Sequence, residues 1–454
     1  MSTPYLVFVV ILAVVVLLFL VLKLKINAFI SLLIASIFVG IMAGMPLNSI
    51  ILSIQNGMGG TLGFVATVVG LGAIFGQMLE SSGGAVALAH TLIKKFGERR
   101  APTAMVLTGF IVAIPVFFDV GFIILVPIIY ALSRDTKKSL LFYGIPLLAG
   151  LAVTHSFIPP TPGPVAVADI IGAQLGWVIL FGIILGFPIA VLAGPVWGRY
   201  ISRKIVVLPP DEEPDPLLAK DNAVNQPPPS FRLIAALIGI PLFLILMNTL
   251  TDVLVNKEVI HSSIITETIT FLGHPFSALI IATLLAIYLL CVRRGMPKKT
   301  ILDLSTKALG PAGIIILITG AGGVFKQVLI DSGIGKLLAE SMAGSALPPI
   351  LLAWMLAAVV RVTQGSATVA MITAAGIMAP LLSEIVLSEQ HLALVVLSIA
   401  SGATLLSHVN DSGFWLVGKY LRMNEKQTLQ SWTVMESIIA VGGLVMTLLA
   451  SLVV

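Results

Sequence analysis

Apolar runs long enough to form membrane-crossing helices recur along the whole chain, separated by short polar segments. Crossing a bilayer takes about 20 consecutive apolar residues in a helix. On that measure the pattern predicts spans near 4–22, 27–45, 60–80 and 177–198, then near 232–250, 274–292, 309–330 and 431–453. Four further apolar stretches, near 101–133, 140–172, 348–385 and 391–420, are each interrupted by polar or helix-breaking residues. The same order therefore occurs twice: three spans, two interrupted segments, one span.

A direct repeat supports that reading. Gly70-Leu-Gly-Ala-Ile-Phe-Gly-Gln-Met-Leu-Glu-Ser-Ser-Gly83 aligns without a gap to Gly320-Ala-Gly-Gly-Val-Phe-Lys-Gln-Val-Leu-Ile-Asp-Ser-Gly333, with seven identities in fourteen positions. Gly70, Gly72 and Gly76, like Gly320, Gly322 and Gly323, have the small-residue spacing that lets helices approach closely, and packing is their expected role. Gln77 and Gln327 are expected to hydrogen-bond across helices. The stretches that follow each copy, 84–100 and 334–347, are too polar to span and read as arms lying along the membrane surface.

Charge placement turns duplication into inversion. Cytoplasmic loops of membrane proteins are enriched in Lys and Arg. Assigning 23–26, 90–103, 133–139, 198–232, 292–309 and 418–430 to the cytoplasm places 22 of the 26 Lys and Arg there. Under that assignment the two copies of the glycine segment cross in opposite senses, and both termini lie outside. The interrupted segment at 101–133 has basic residues at both ends, which makes it a re-entrant hairpin entered from inside. The fold class that follows is an all-α polytopic membrane protein with two inverted-topology repeats. Each repeat has three spans, a re-entrant hairpin, a broken helix and a final span. The first repeat covers 1–205 and the second 232–454. A Pro-rich cytoplasmic linker at 206–231 joins them, too polar to pack. Residues 4–22 lack a basic lead-in and a clean cleavage site, so they read as a retained helix rather than a signal peptide.

Composition narrows the function. Hydrophobic residues make up 58% and charged residues 10%, which no soluble core of this length would show. A single cysteine, Cys291, excludes a disulfide framework and a cysteine metal site. The formal charge of +5 sits in short loops between spans, so nucleic acid is not the expected partner. The sequence offers no metal-ligand cluster, no Ser-His pair at catalytic spacing and no nucleotide loop, so an enzyme is not expected and neither metal nor cofactor is implied.

Non-helical backbone at membrane depth is tolerated only where it is buried in protein or lines a cavity. The candidate chemistry is therefore in the four interruptions. In Phe117-Phe-Asp-Val-Gly121, Asp119 would cost about 3 kcal/mol at mid-membrane and so marks a pathway, unless the loop simply reaches water. In Thr154-His-Ser-Phe-Ile-Pro-Pro-Thr-Pro-Gly-Pro164, four prolines in six residues stop a helix. A new helix is expected from about Pro164, and its N-terminus is a natural anion site. Thr154, His155, Thr161 and Gly163 are candidates there; the alternative is a plain external loop. In Arg361-Val-Thr-Gln-Gly-Ser-Ala-Thr368, the neutral groups Gln364, Ser366 and Thr368 suit a ligand's hydroxyls and carboxylate, while Arg361 reads as a structural cation, snorkelling or held by carbonyls, more readily than as a substrate contact. In Ser407-His-Val-Asn-Asp-Ser-Gly413, Asn410 and Ser412 are candidate contacts. His155 and His408 occupy matching places in the two halves, either as core residues or as proton carriers. Asp119, His155, His408 and Asp411 are the candidate proton-coupling groups. Four helix ends and several hydroxyl and amide groups converging between inverted repeats would trap a small hydroxylated anion. Carboxylates beside it would favour binding when protonated, and coupling of that kind is reciprocal.

At these motifs the chain resembles the gluconate permease family. The matching stretches are Gly59-Gly-Thr-Leu-Gly63, Phe118-Asp-Val-Gly121, Pro159-Pro-Thr-Pro-Gly-Pro164, Gly320-Ala-Gly-Gly-Val-Phe-Lys-Gln327, Gln364-Gly-Ser-Ala-Thr-Val-Ala370 and Ser407-His-Val-Asn-Asp-Ser-Gly-Phe-Trp415. The resemblance covers essentially the whole chain. It implies a proton symporter for D-gluconate or a related aldonate in the bacterial inner membrane, working as a homodimer with an elevator-like motion. Several relatives carry His at the place of Thr161 and Glu at the place of Asp119, so a proton role for the former does not transfer. Kept beside it are a sodium-coupled organic-anion symporter, a D-serine or hexuronate permease of the same family and, in a different class, an anion channel.

Overall fold

A computed structural model describes residues 3–97, 100–209, 228–334 and 347–454. The described chain is helical, without strands. Linker residues 210–227 and most of the second expected surface arm, 335–346, lie outside the described residues.

The first half runs α1 (Thr3–Leu22), α2 (Ala28–Met42), α3 (Leu47–Ser81), α4 (Gly84–Phe96), a hairpin of α5 (Ala101–Val112) and α6 (Phe118–Thr136), a broken pair of α7 (Leu140–Phe157) and α8 (Pro162–Ile171), and α9 (Leu175–Lys204). The second half runs α10 (Phe231–Asn256), α11 (Ile264–Gly273), α12 (Pro275–Val292), α13 (Lys298–Asp331), a hairpin of α14 (Pro349–Gln364) and α15 (Ala367–Leu382), a broken pair of α16 (Glu389–Gly402) and α17 (Ser412–Tyr420), and α18 (Glu425–Ser451). The expected element order is thus present in both halves. Seven helices among the described residues are long and apolar enough to cross a membrane.

The structure departs from the expected boundaries at the starts of two long helices. Helix α3 starts at Leu47 rather than near 60, and α13 at Lys298 rather than near 309. Ser53, in the added turns of α3, donates to Asp331 Oδ2 at the far end of α13 at 2.6 Å. The two helices cross with their backbones in contact. A Cβ on Gly57 would lie 2.7 Å from the Val324 Cα, and one on Gly323 would lie 2.7 Å from the Gly57 carbonyl oxygen. Gln77 and Gln327 do not bridge helices as expected. Gln77 donates to Glu80 and Ser81, and Gln327 to Asp331 at 2.9 Å, each within its own helix. Helix α11 was not expected; a reciprocal cap between Ser263 and Thr266 starts it.

Each hairpin is fastened to its broken helix in a similar way. In the first half, Gly109 and Gly150 let α5 and α7 meet, and Thr154 donates to the Phe110 carbonyl at 2.9 Å. In the second, Gly402 lies against the Trp354 carbonyl, and Ser398 donates to the Ile350 carbonyl at 2.7 Å. Removing an interior hydroxyl of this kind typically costs about 1 kcal/mol. Hairpin and broken helix in each half therefore form one packed body.

The two bodies meet α3 and α13 unequally. The Pro115 carbonyl, at the first hairpin's turn, occupies the space where a Cβ of Gly76 would stand. Gly72 faces Pro160 in the first break, at 3.5 Å from its carbonyl oxygen. The turn 113–116 and the break 158–161 are buried. The second glycine segment does not seat the second turn: Gly322 faces Ile372 and Ile170, and Gly376 approaches the Gly322 carbonyl. The second break stays open, with Val409 and Asn410 exposed.

Candidate functional site

The second opening leads into a cavity of about 360 Å³. Its walls come from the start of α6 (Phe118, Asp119), one face of α7 (Ala152, His155, Ser156), the second hairpin turn from Arg361 to Thr368, the second break (Thr404, Asn410 to Gly413), and Trp432 and Glu436 of α18.

Local sequence explains how these groups converge. Gly365 adopts φ +89, a left-handed conformation that favours glycine, and turns the chain from α14 into α15. Its neighbours cap the turn: Ser366 accepts from the Val369 amide, and Gln364 accepts from the Ser366 amide at 3.0 Å. Asp411 caps α17 by accepting from the Gly413 amide at 3.0 Å. Such side-chain caps satisfy amides that a helix start otherwise leaves bare. The start of α6 has no side-chain cap, so its first amides and Asp119 face the cavity together.

One guanidinium organises the floor. Arg361 is 3% exposed and donates from Nη2 to Asp411 Oδ2 at 2.6 Å and from Nη1 to the Gly365 carbonyl. Ser407 also donates to Asp411 Oδ2, and Trp432 Nε1 donates to Ser407 Oγ at 2.7 Å. A π-helical turn at Leu429–Thr433 places Trp432 there, and Thr433 donates to the Ser407 carbonyl. Single π-turns of this kind recur at functional sites. Two buried polar atoms of the wall lack a partner in the structure, Glu436 Oε1 and Arg361 Nε. His155 Nδ1, on α7, is a third.

Of the candidates read from sequence, Asp119, His155, Gln364, Ser366, Thr368, Asn410, Asp411 and Ser412 line this cavity. Four do not. Thr154 spends its hydroxyl on the Phe110 carbonyl. Thr161 donates to the Ile158 carbonyl at 2.6 Å and borders a separate narrow slot beside Gly72 and Pro115. A Cβ on Gly163 would come within 2.8 Å of Met371 Sδ, so that residue is packed against α15. His408 sits behind the turn, with Nε2 3.0 Å from the Val362 carbonyl. Helix α8 starts at Pro162 rather than Pro164, and its N-terminus is sealed by this packing. Three of the four expected helix starts thus face the cavity.

Sequence reasoning did not single out Glu436, Trp432, Thr404 and Ser156, which line the cavity. For Glu436 the signal was present: it is an acid inside an apolar span, a placement that usually marks function.

A polar cavity between broken helices, set in an apolar helical body, is the build of a secondary transporter. The chain belongs to the GntP permease family, whose family model matches residues 5–453. It is 41% identical to the low-affinity gluconate transporter of Escherichia coli (strain K12), over 99% of each chain. It is also 41% identical to the gluconate permease of Bacillus subtilis (strain 168), over 96% of this chain and 97% of that one. Among solved structures it is similar to the YdaH transporter of Alcanivorax borkumensis, with a TM-score of 0.63, 14% identity and 90% of each chain covered, a likeness of fold.

Proposed function

We propose that this protein carries D-gluconate or a closely related aldonate into the cell together with protons, by alternating exposure of the cavity. The observation that carries the reading is the cavity floor. Arg361, the one arginine of the lining, fixes positive charge at the floor and would draw a substrate carboxylate toward it. Gln364, Ser366, Thr368, Asn410 and Ser412 ring it with neutral donors and acceptors suited to a polyhydroxy chain. Cavities of about 300–1,000 Å³ are the usual size for small-molecule sites. The curated relatives are named for gluconate, which agrees with a monocarboxylate bearing several hydroxyls.

Proton coupling follows from charge. Asp119, Asp411 and Glu436 share the cavity with a single arginine, so an incoming anion meets surplus negative charge unless protons come with it. Alternating access is supported by the unequal seating of the hairpins. The first turn is closed against Gly76 and the second is open. Inverted repeats supply an opposite end state in which those roles exchange. The same proposal includes an elevator-like shift of the two hairpin bodies past α3 and α13, hairpins that re-enter the membrane, a homodimer, and residence in the bacterial inner membrane with both termini periplasmic. In it 1–205 and 232–454 are the two repeats, joined by 206–231.

The test is concentrative uptake of labelled gluconate by proteoliposomes holding the purified chain. An acid-outside gradient is expected to drive accumulation, and a protonophore to abolish it. Simple equilibration would make the protein a channel instead.

A further inference from the structure

Glu436 is the buried acid of the cavity with an unpartnered oxygen. It is 4% exposed, it lines the cavity, and its Oε1 has no hydrogen-bond partner in the structure. The other two acids are accounted for differently. Asp411 is committed to Arg361 and to the start of α17. Asp119 has no hydrogen bond in the structure either, but it is the exposed acid of the three, whereas Glu436 is sealed in the wall.

The surroundings of Glu436 leave it no counter-ion of its own. Across from it, α14 presents Arg361, already shared between Asp411 and the Gly365 carbonyl. The second break presents Asp411, α7 presents His155 and α6 presents Asp119. Helices α9 and α16 also pack on α18, but add no titratable group to the cavity lining. Burying an isolated ionised carboxylate is far costlier than burying a neutral acid. A substrate carboxylate drawn to Arg361 adds negative charge to the same wall, so the anion and a proton on Glu436 favour one another.

We propose that Glu436 carries the coupled proton. The carboxylate takes a proton from the outer medium as the anion enters, and returns it to the inner medium once the anion has left. This rests on the gluconate-proton reading above and moves the coupling role away from Asp119, His155, His408 and Asp411, the last of which becomes a positioning residue for Arg361.

Proteoliposomes are loaded with the full chain or with Glu436→Gln, and two readouts are taken: accumulation of labelled gluconate under an acid-outside gradient, and exchange of labelled for unlabelled gluconate without one. One pH unit driving one proton per gluconate supports about tenfold accumulation. The ratio of accumulation to exchange is expected to fall about tenfold in the variant, because a glutamine cannot carry the proton. Equal ratios in the two proteins would overturn the assignment while leaving the transport reading intact. Wild-type vesicles that never accumulate gluconate would overturn the transport reading, and the assignment with it. Should the variant be too unstable to reconstitute, a pH-indicator dye follows the wild type and Glu436→Asp in detergent as gluconate is added. Both are expected to take up a proton on binding, and binding by the wild type without proton uptake would refute the proposal.

Discussion

Arg361 and Asp411 stand 2.6 Å apart, from Nη2 to Oδ2, and join the second hairpin to the second broken helix. Both are largely withdrawn from solvent, and Asp411 also starts α17. The ion pair therefore holds the cavity floor in register. Arg361→Ala leaves the aspartate without its counter-ion. Breaking one side of a buried pair costs about 3–5 kcal/mol, so a lowered melting temperature and loss of gluconate uptake are expected. Arg361→Lys keeps the charge and loses the planar fork, and should rescue stability better than uptake. Wild-type uptake by Arg361→Ala would remove the arginine from the substrate site.

Gly76 touches the Pro115 carbonyl with no space for a side chain. Gly76→Ala should disfavour this seating of the first hairpin. Overpacking of this kind costs about 1–3 kcal/mol, enough to shift a two-state balance about tenfold. Asn410 is exposed in the present arrangement, and the only native cysteine, Cys291, is buried. Maleimide labelling of an Asn410→Cys variant is thus expected to slow about tenfold when Gly76→Ala is added. An unchanged rate would mean that the seating does not control access to the cavity.

Ion replacement separates protons from sodium. Exchanging sodium for potassium at constant pH is expected to leave gluconate uptake unchanged, whereas raising the external pH should slow it. A large loss on removing sodium would sink proton coupling and favour the sodium-driven alternative.

Ligand choice is read by thermal shift on the purified protein. A ligand at about 100 times its Kd stabilises the state that binds it by about 2.7 kcal/mol. Aldonates are expected to raise the melting temperature and D-serine to leave it in place. A shift with D-serine or hexuronates alone would redirect the substrate assignment within the family.

The sequence revealed the helical plan well because its signals are local. Apolar length marks spans, the Pro159–Pro164 cluster stops α7, and Gly365 marks the second turn. Helix α3 was drawn too short because Ser53 and its neighbours look like loop residues until α13 supplies Asp331 as their partner. The site was half legible for the same reason. Ser366 and Thr161 make bonds within their own turns, whereas the pairing of Asp411 with Arg361 and of His408 with the Val362 carbonyl exists only once the hairpin and the broken helix are placed together. Glu436 required no such knowledge. A carboxylate within the run 431–453 is legible in the sequence, outside the interrupted segments that carry the other candidates.

The unequal docks have a further consequence. Position 76 is glycine in the first copy of the repeated segment, but its counterpart, position 326, is lysine. In the end state proposed to mirror this one, the second hairpin's lip would dock beside an ammonium instead of on bare backbone. Lys326 has Asp169 of the first half as its electrostatic partner, so one dock is bare backbone and the other a lysine facing a carboxylate. The two end states would then not be equivalent, and the carrier would not rest evenly between them.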